Sequence, residues 1–149
     1  PYLSLAVPDR RLDLPAGYVL LPHQPEALAN LSRHGIRVER ILEGFKAEVE
    51  RFTISSVELD KDIFQGHVLN TIKGSYEKGE IDIPAGSFYV GMDQPLARLV
   101  PELLEPEASD SLAAWGFFNR VIVQQWSNLP GPYPVLRLAQ RPAVPMLCE

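Results

Sequence analysis

The feature that most constrains the fold is the segment 84–119, which is denser in apolar and aromatic side chains than the rest of the chain. Pro84 and Gly86 predict a turn that leads into a short strand over residues 88–90. Gln94 and Pro95 then predict the start of an amphipathic helix, because proline is tolerated at the first helical position. Its apolar positions recur at helical spacing: Leu96, Leu99, Val100, Leu103 and Leu104. We expect this stripe to cover a sheet.

A second short helix is predicted after Glu105 and Pro106, with Ser109 or Asp110 as its cap. It would bring four large side chains into the same interior: Leu112, Trp115, Phe117 and Phe118. The segment contains no acid–base pair, metal-ligand cluster or phosphate-binding loop. Its residues therefore indicate buried scaffold, and residue chemistry alone does not indicate a function.

Composition predicts one folded domain, since 149 residues with 46% hydrophobic and 22% charged side chains can bury a core without disulfides. A net charge of −5 without a basic cluster argues against nucleic-acid binding. No apolar run approaches the ~20 residues that a membrane-spanning helix requires. The sequence begins at Pro1 rather than methionine, so we expect a piece of a longer protein. The single cysteine, Cys148, excludes an internal disulfide and leaves the cellular location unknown.

The N-terminal part predicts a β-α-β unit. Residues 1–16 form a proline-punctuated linker or edge segment, with residues 3–7 as a strand candidate. Residues 18–21 predict a buried strand, and a helix runs from Pro25 to about His34, with Gly35 in the left-handed conformation after it. Another strand is predicted over residues 36–42. The two strands are either parallel or joined by a helix that packs across a sheet edge.

From Phe45 to Val90 the apolar period changes to two, which is typical of antiparallel strands with one wet face. The phase slips at Ser55–Ser56, where we predict a bulge. Further strands are predicted at 67–73, from Ile81 and at 135–138, with polar turns at 73–75 and 77–80. The sequence thus predicts an α+β fold, mainly an antiparallel β-sandwich with two or three short helices. It occupies residues 17–140 as a single domain, followed by a loose tail at 141–149.

The histidines are the only candidates for a metal site. His23 and Glu26 form a His-x-x-Glu pair, a spacing that zinc peptidases use, but a zinc site needs a third protein ligand. Only His34 and His67 remain to provide a histidine ligand; His34 lies further along the same helix and His67 lies in a strand. The pair therefore indicates a helix-entry turn with an exposed His23, and His34 indicates a favourable interaction with the helix dipole.

Nucleophilic and acid–base chemistry have weaker candidates. Cys148 lies next to the chain end, and no Gly-x-Ser-x-Gly elbow is present. Four carboxylates surround the central segment, where they indicate helix ends and solvated faces rather than a glycosidase pair: Glu102, Glu105, Glu107 and Asp110. Three aromatic residues are candidates either for the core or for a stacking platform: Trp115, Trp126 and Tyr133.

Several short motifs resemble the C-terminal region of bacterial zinc carboxypeptidase-like proteins, which are relatives of carboxypeptidase A with a long extension after the peptidase domain. The motifs occur in the family's order: Pro84-Ala85-Gly86, Tyr89-Val90, Gln94-Pro95-Leu96-Ala97, Leu103-Leu104-Glu105-Pro106, Asp110-Ser111-Leu112 and Trp115-Gly116-Phe117-Phe118. The segment Tyr18–Pro22 with Leu31, His34-Gly35-Ile36 and Val38-Glu39 resembles the start of that extension. The resemblance covers roughly residues 17–138.

The resemblance implies that the zinc and the catalytic residues belong to a preceding peptidase domain. That domain binds zinc through a His-x-x-Glu pair and a distant third histidine, whereas no histidine follows His67 here. We therefore assign no catalytic, cofactor-binding or metal-binding residue and no cofactor to this chain. The expected function is that of a non-catalytic accessory domain, whose partners are the parent's peptidase domain and its peptide substrate. The alternatives are a glycan- or peptide-binding module with exposed aromatic rings, and a small independent zinc enzyme.

Overall fold

The computed structural model describes residues 12–123 and 129–149. The strands are β1 (Gly17–Leu20), β2 (Glu39–Ile41), β3 (Phe45–Phe64), β4 (His67–Ile83), β5 (Phe88–Gly91), β6 (Val135–Leu138) and β7 (Met146–Cys148). The helices are α1 (Pro25–Arg33), α2 (Leu99–Leu104) and α3 (Asn119–Ile122). The predicted class is confirmed: the fold is α+β, mainly antiparallel, with three short helices in the described ranges. None of these helices has the length and apolar character needed to cross a bilayer.

The strands hydrogen-bond into one sheet in the order β4-β3-β6-β1-β5-β2-β7. Both β1 and β2 pair antiparallel with β5, so they run in the same direction with β5 between them. The β-α-β unit predicted from the sequence is thus split by an inserted strand. Late in the chain, β6 enters between β1 and β3 and joins the two parts of the sheet.

Both faces of the sheet carry apolar clusters, which gives the fold its sandwich-like layering. Alternation along β1 places Tyr18 and Leu20 in the larger cluster, beneath the helices, and Val19 in the smaller cluster on the opposite face. Helix α1 contributes Ala27 and Leu31 to the larger cluster. This helix was predicted correctly, including its end, where Gly35 has a φ of +76°.

The segment 84–119 contributes Val100, Leu103, Leu104, Leu112 and Phe118 to the core as predicted, but Leu96 is exposed, Trp115 and Phe117 are half-buried, and the helices are shorter. Its turn is correct, with Gly86 at a φ of +84°, and so is strand β5. The first helix begins at Leu99 rather than Pro95, because Pro101 has no N–H to bond to the Ala97 carbonyl and is tolerated only in a first turn. The second helix was also placed wrongly, since residues 112–118 form turns and α3 begins only at Asn119.

Strands β3 and β4 form one long hairpin. The predicted bulge is confirmed, because Ile54 pairs with Gly74 and Ser56 pairs with Lys73, so Ser55 has no partner residue in the ladder. The polar turns predicted at 73–75 and 77–80 are wrong, since these residues continue β4. Their polarity suits an edge strand with solvent-exposed side chains.

The end of the chain is paired rather than loose. Strand β7 pairs antiparallel with β2, and the Glu149 N–H donates to the Val38 carbonyl at 3.0 Å. Arg40 and the Glu149 side chain form an ion pair at 2.7 Å. The strand candidate at residues 3–7 lies outside the described residues, and the domain boundaries at 16/17 and 140/141 remain predictions.

Candidate functional site

The most distinctive polar group in the fold is a buried cluster around Glu105, which directly follows α2. Strand β1 supplies Tyr18, β4 supplies Tyr76 and β6 supplies Arg137. These side chains extend from the helix-covered face of the sheet, because Tyr18 and Arg137 are paired neighbours and Tyr76 packs against the larger apolar cluster. Glu105 and Arg137 are only 5% and 6% exposed.

The Glu105 carboxylate accepts hydrogen bonds on both oxygens. The Tyr18 hydroxyl donates to Oε1 at 2.7 Å, and the Tyr76 hydroxyl donates to Oε2 at 2.5 Å. Arg137 Nε lies 3.4 Å from Oε1, an ion-pair contact without hydrogen-bond geometry. The negative charge is therefore balanced within the fold, as a buried carboxylate requires.

Arg137 is held from several directions. Its Nη1 lies 3.1 Å from Glu50 Oε2, and its Nη2 donates to the Asp13 carbonyl. The guanidinium carbon stacks 4.6 Å from the centre of the Tyr76 ring, within the range of a cation–π contact. Arg137 thus joins β6 to β3 and to the segment that precedes β1.

The tyrosines of this region keep their protons. Burial, followed by the hydrogen bonds to Glu105, raises the pKa of both Tyr18 and Tyr76 far above the usual value. Burial also raises the pKa of Tyr133, whose hydroxyl donates to the Leu104 carbonyl at 2.7 Å. All three hydroxyls therefore act as hydrogen-bond donors throughout the neutral pH range.

Two surface clefts border the cluster. One of about 670 Å³ is lined partly by Phe52, Tyr76 and Glu105, and one of about 520 Å³ is lined partly by Glu50 and Arg137. The carboxylate oxygens of Glu105 already accept hydrogen bonds within the fold. A molecule in either cleft would therefore contact the edge of the cluster and not a free carboxylate. The arrangement fastens α2 to three strands, which is a structural role.

The histidines lie on separate elements. His23 and Glu26 are both exposed at the entry to α1, and His34 Nδ1 lies 2.9 Å from the Asn30 carbonyl at the other end of that helix. His67 begins β4 and its ring packs edge-on against Trp115. Across residues 12–123 and 129–149, no three His, Cys, Asp or Glu side chains are grouped so that they could hold a metal ion. The described residues therefore do not fit a zinc site.

The predicted carboxylates and aromatic residues have different surroundings. Glu102 and Asp110 are exposed as expected, and Glu105 lies at the end of α2 in a structural role as expected, although it is buried rather than solvated. Trp115 is half-buried and donates from Nε1 to Asp110 at 3.2 Å. Tyr133 is 1% exposed, so it belongs to the core and to no stacking platform. Trp126 lies outside the described residues, and Cys148 is exposed in β7.

Sequence reasoning missed the Glu105 cluster, although one signal for it was present. Arg137 interrupts the otherwise apolar strand Val135–Leu138. A charged side chain in a central strand needs a buried partner of opposite charge, so Arg137 was a signal that such a partner exists. The pattern could not identify Glu105 as that partner.

Comparison with known proteins finds fungal relatives. The chain is 29% identical over 124 residues to Carboxypeptidase 2 of Trichophyton rubrum, and this region is 83% of the chain and 22% of the relative. It is 31% identical over 102 residues to Carboxypeptidase 2 of Trichophyton tonsurans, which is 68% of the chain and 19% of the relative. Carboxypeptidase 2 of Trichophyton equinum is 30% identical over 124 residues. No protein-family model and no solved structure matches the chain.

These comparisons relate the chain to proteins named carboxypeptidase 2. The chain spans only about a fifth of the length of the curated relatives that it matches. It therefore corresponds to a small part of larger carboxypeptidases. These three relatives are fungal, so the bacterial source stays a prediction. The C-terminal position also stays a prediction.

Proposed function

We propose that this chain is a non-catalytic accessory domain, placed after the peptidase domain of a zinc carboxypeptidase. The parent protein would hydrolyse C-terminal residues from peptides, with zinc held in the peptidase domain to activate water. The accessory domain would pack against the peptidase domain or frame the entrance for the peptide substrate.

The main support for this proposal is how much of the chain, and how little of each relative, is matched. Relatives with carboxypeptidase names match most of this chain, while the matched region is only 19–22% of their own length. A segment of that size corresponds to one domain of a protein that has several. The state of Glu105 gives further support, since its two oxygens already accept hydrogen bonds from Tyr18 and Tyr76 and are not free to act as a general base.

One observation favours a second candidate, a module that binds a peptide or glycan. Trp115 is half-buried and lines a surface cleft of about 530 Å³ together with His34, His67, Asp110 and Phe117. Aromatic rings beside polar side chains are typical of ligand pockets. The coverage of the relatives still favours the accessory domain.

The proposal is tested by expressing the 149-residue chain and the complete polypeptide that contains it. We expect zinc by elemental analysis and release of C-terminal amino acids only for the complete polypeptide. Activity or stoichiometric zinc in the 149-residue chain would refute a non-catalytic role. Absence of peptidase activity from a folded, zinc-loaded complete polypeptide would refute the assignment of the parent.

The binding candidate is tested by calorimetric titration of the 149-residue chain with peptides and oligosaccharides. Binding that Trp115→Ala removes and Trp115→Phe largely keeps would favour the binding module. A ring at this position stacks on a ligand whether or not it carries the indole N–H.

A further inference from the structure

The outer part of the β3–β4 hairpin extends beyond the rest of the domain. Strand β6 pairs with β3 only at Glu50 and Arg51, and every residue from 58 to 68 is exposed. We call residues 58–68 the arm. A two-stranded hairpin by itself is only marginally stable in water, so the arm depends on the surfaces that pack against it.

One face of the arm is apolar. Leu59 pairs with Asn70 and Ile63 pairs with Val68, and paired residues share a face of the ribbon. Because Val68 and Asn70 are two residues apart, Leu59, Ile63 and Val68 lie on the same side. These three side chains, which we call the arm face, are 57%, 72% and 43% exposed.

The arm face continues the apolar face of the domain. Further down the same hairpin, Val57 pairs with Ile72, and both pack in the larger apolar cluster beneath the helices. Toward the tip of the hairpin, Asn70 is the last buried residue of β4, and its side chain donates to the Ala113 carbonyl at 3.0 Å. The apolar pattern of this face continues past Asn70 onto exposed residues, as expected where a second body completes it.

The tip of the arm packs against the domain. Its tip residues Phe64 and His67 pack against Trp115, with ring centres 6.1 and 5.6 Å apart. The Asn70 N–H donates to the Ala114 carbonyl at 2.8 Å, which ties β4 to the segment after α2. A preorganised arm loses little conformational entropy when it binds.

We propose that the arm face docks onto another domain of the same polypeptide, where it buries Leu59, Ile63 and Val68. This inference rests on the proposed function, because the chain spans about a fifth of its relatives, so the rest of such a polypeptide provides a large neighbouring surface. The partner surface is apolar, to match the arm face, and the charged residues of the arm are interspersed with its apolar ones: Glu58, Asp60, Lys61 and Asp62.

The same charges argue against other occupants. An anionic lipid surface would repel the acidic arm. A second copy of the chain, paired about a twofold axis, would bring the two acidic arms together. A neighbouring domain with an apolar patch fits the arm face, and the length of the relatives provides room for such a domain.

Hydroxyl-radical footprinting tests the proposal, because it measures the exposure of individual side chains in the complete polypeptide and in the 149-residue chain. We expect the oxidation of Ile63, now 72% exposed, to be at least about fivefold slower in the complete polypeptide once another domain covers it. Leu59 and Val68 should follow, while Leu42, which is exposed on another part of the domain, keeps its rate.

Two variants provide the matched control. Ile63→Asp in the complete polypeptide should restore fast oxidation of Leu59, whereas Leu42→Asp should not. Equal oxidation rates in the two proteins would overturn the proposal. So would protection in the 149-residue chain that rises with its concentration, or protection of the complete polypeptide that appears only with anionic vesicles.

The outcomes separate this inference from the proposed function. If the arm is protected in a complete polypeptide that has no peptidase activity, the docking proposal stands and the assignment of the parent as a carboxypeptidase is refuted. A free arm in an active, zinc-containing carboxypeptidase refutes the docking alone.

Discussion

Replacing Glu105 with glutamine should destabilise the domain more than other single changes at its carboxylates. The substitution keeps the side chain's size but removes the charge that balances Arg137, which is 6% exposed. It also replaces one of the two acceptor oxygens with an NH2 group, so either the Tyr18 or the Tyr76 hydroxyl loses its acceptor. Each hydrogen bond to a charged group contributes about 1.5–3 kcal/mol, and loss of one partner of a buried ion pair costs about 3–5 kcal/mol.

These contributions overlap, and Glu50 still neutralises Arg137 at 3.1 Å, so we expect a loss of about 3–4 kcal/mol in the free energy of unfolding. For a domain of this size that corresponds to a fall in Tm of about 10 °C. Urea unfolding at pH 7 measures the free energy directly.

The matched control is Glu102→Gln, an exposed position three residues earlier, which should change stability by less than about 0.5 kcal/mol. A double variant, Glu105→Gln with Arg137→Gln, should lose less than the sum of the two single losses. If Glu105→Gln costs under about 1 kcal/mol, the cluster is not a stabilising unit and the structural role given to Glu105 is wrong.

Two further predictions concern the same sheet. Burial raises the pKa of Tyr18, Tyr76 and Tyr133 above the unfolded value of 10.0, so the unfolded chain loses these protons first. The free energy of unfolding should therefore be unaffected below about pH 10 and fall above it, by about 1.4 kcal/mol per pH unit for each tyrosine. Tyr76→Phe should lower that slope in urea titrations at about pH 9–11. Gly74→Ala should cost about 2 kcal/mol or more, because its Cβ would collide with a backbone oxygen of β3. Gly79→Ala is the control: no atom of the described residues lies within 4 Å of its added Cβ, so this change should be neutral or gain about 0.5 kcal/mol. An equal effect of both changes on the urea midpoint would contradict this reasoning.

Elements with strong local signals could be predicted from the sequence. Helix α1 has a proline at its start and Gly35 after its end, and both signals act within a few residues. The bulge at Ser55 follows from a phase slip between two apolar runs, which is visible without any knowledge of the partner strand. Strands β1 and β6 are short apolar runs that are bounded by Gly17 and Pro134.

Features that depend on distant partners could not be predicted. Residues 74–80 have the composition of a turn and become a strand only because β3 provides a ladder along their whole length. Strand β7 exists because β2 offers an open edge to it. The bond between Tyr18 and Glu105 joins residues 87 positions apart, and no local pattern indicates which carboxylate would reach that hydroxyl.

The central place of β6 has a consequence for how the domain is made. Before Val135–Leu138 leaves the ribosome, β1, β5 and β2 on one side and the β3–β4 hairpin on the other have no strand between them. A nascent chain that ends before residue 135 would expose the edges of β1 and β3, which pair only with β6 on that side. We therefore expect the domain to close only after nearly all of it has been synthesised, with a slow final step that brings the late strand between partners from the first half of the sequence.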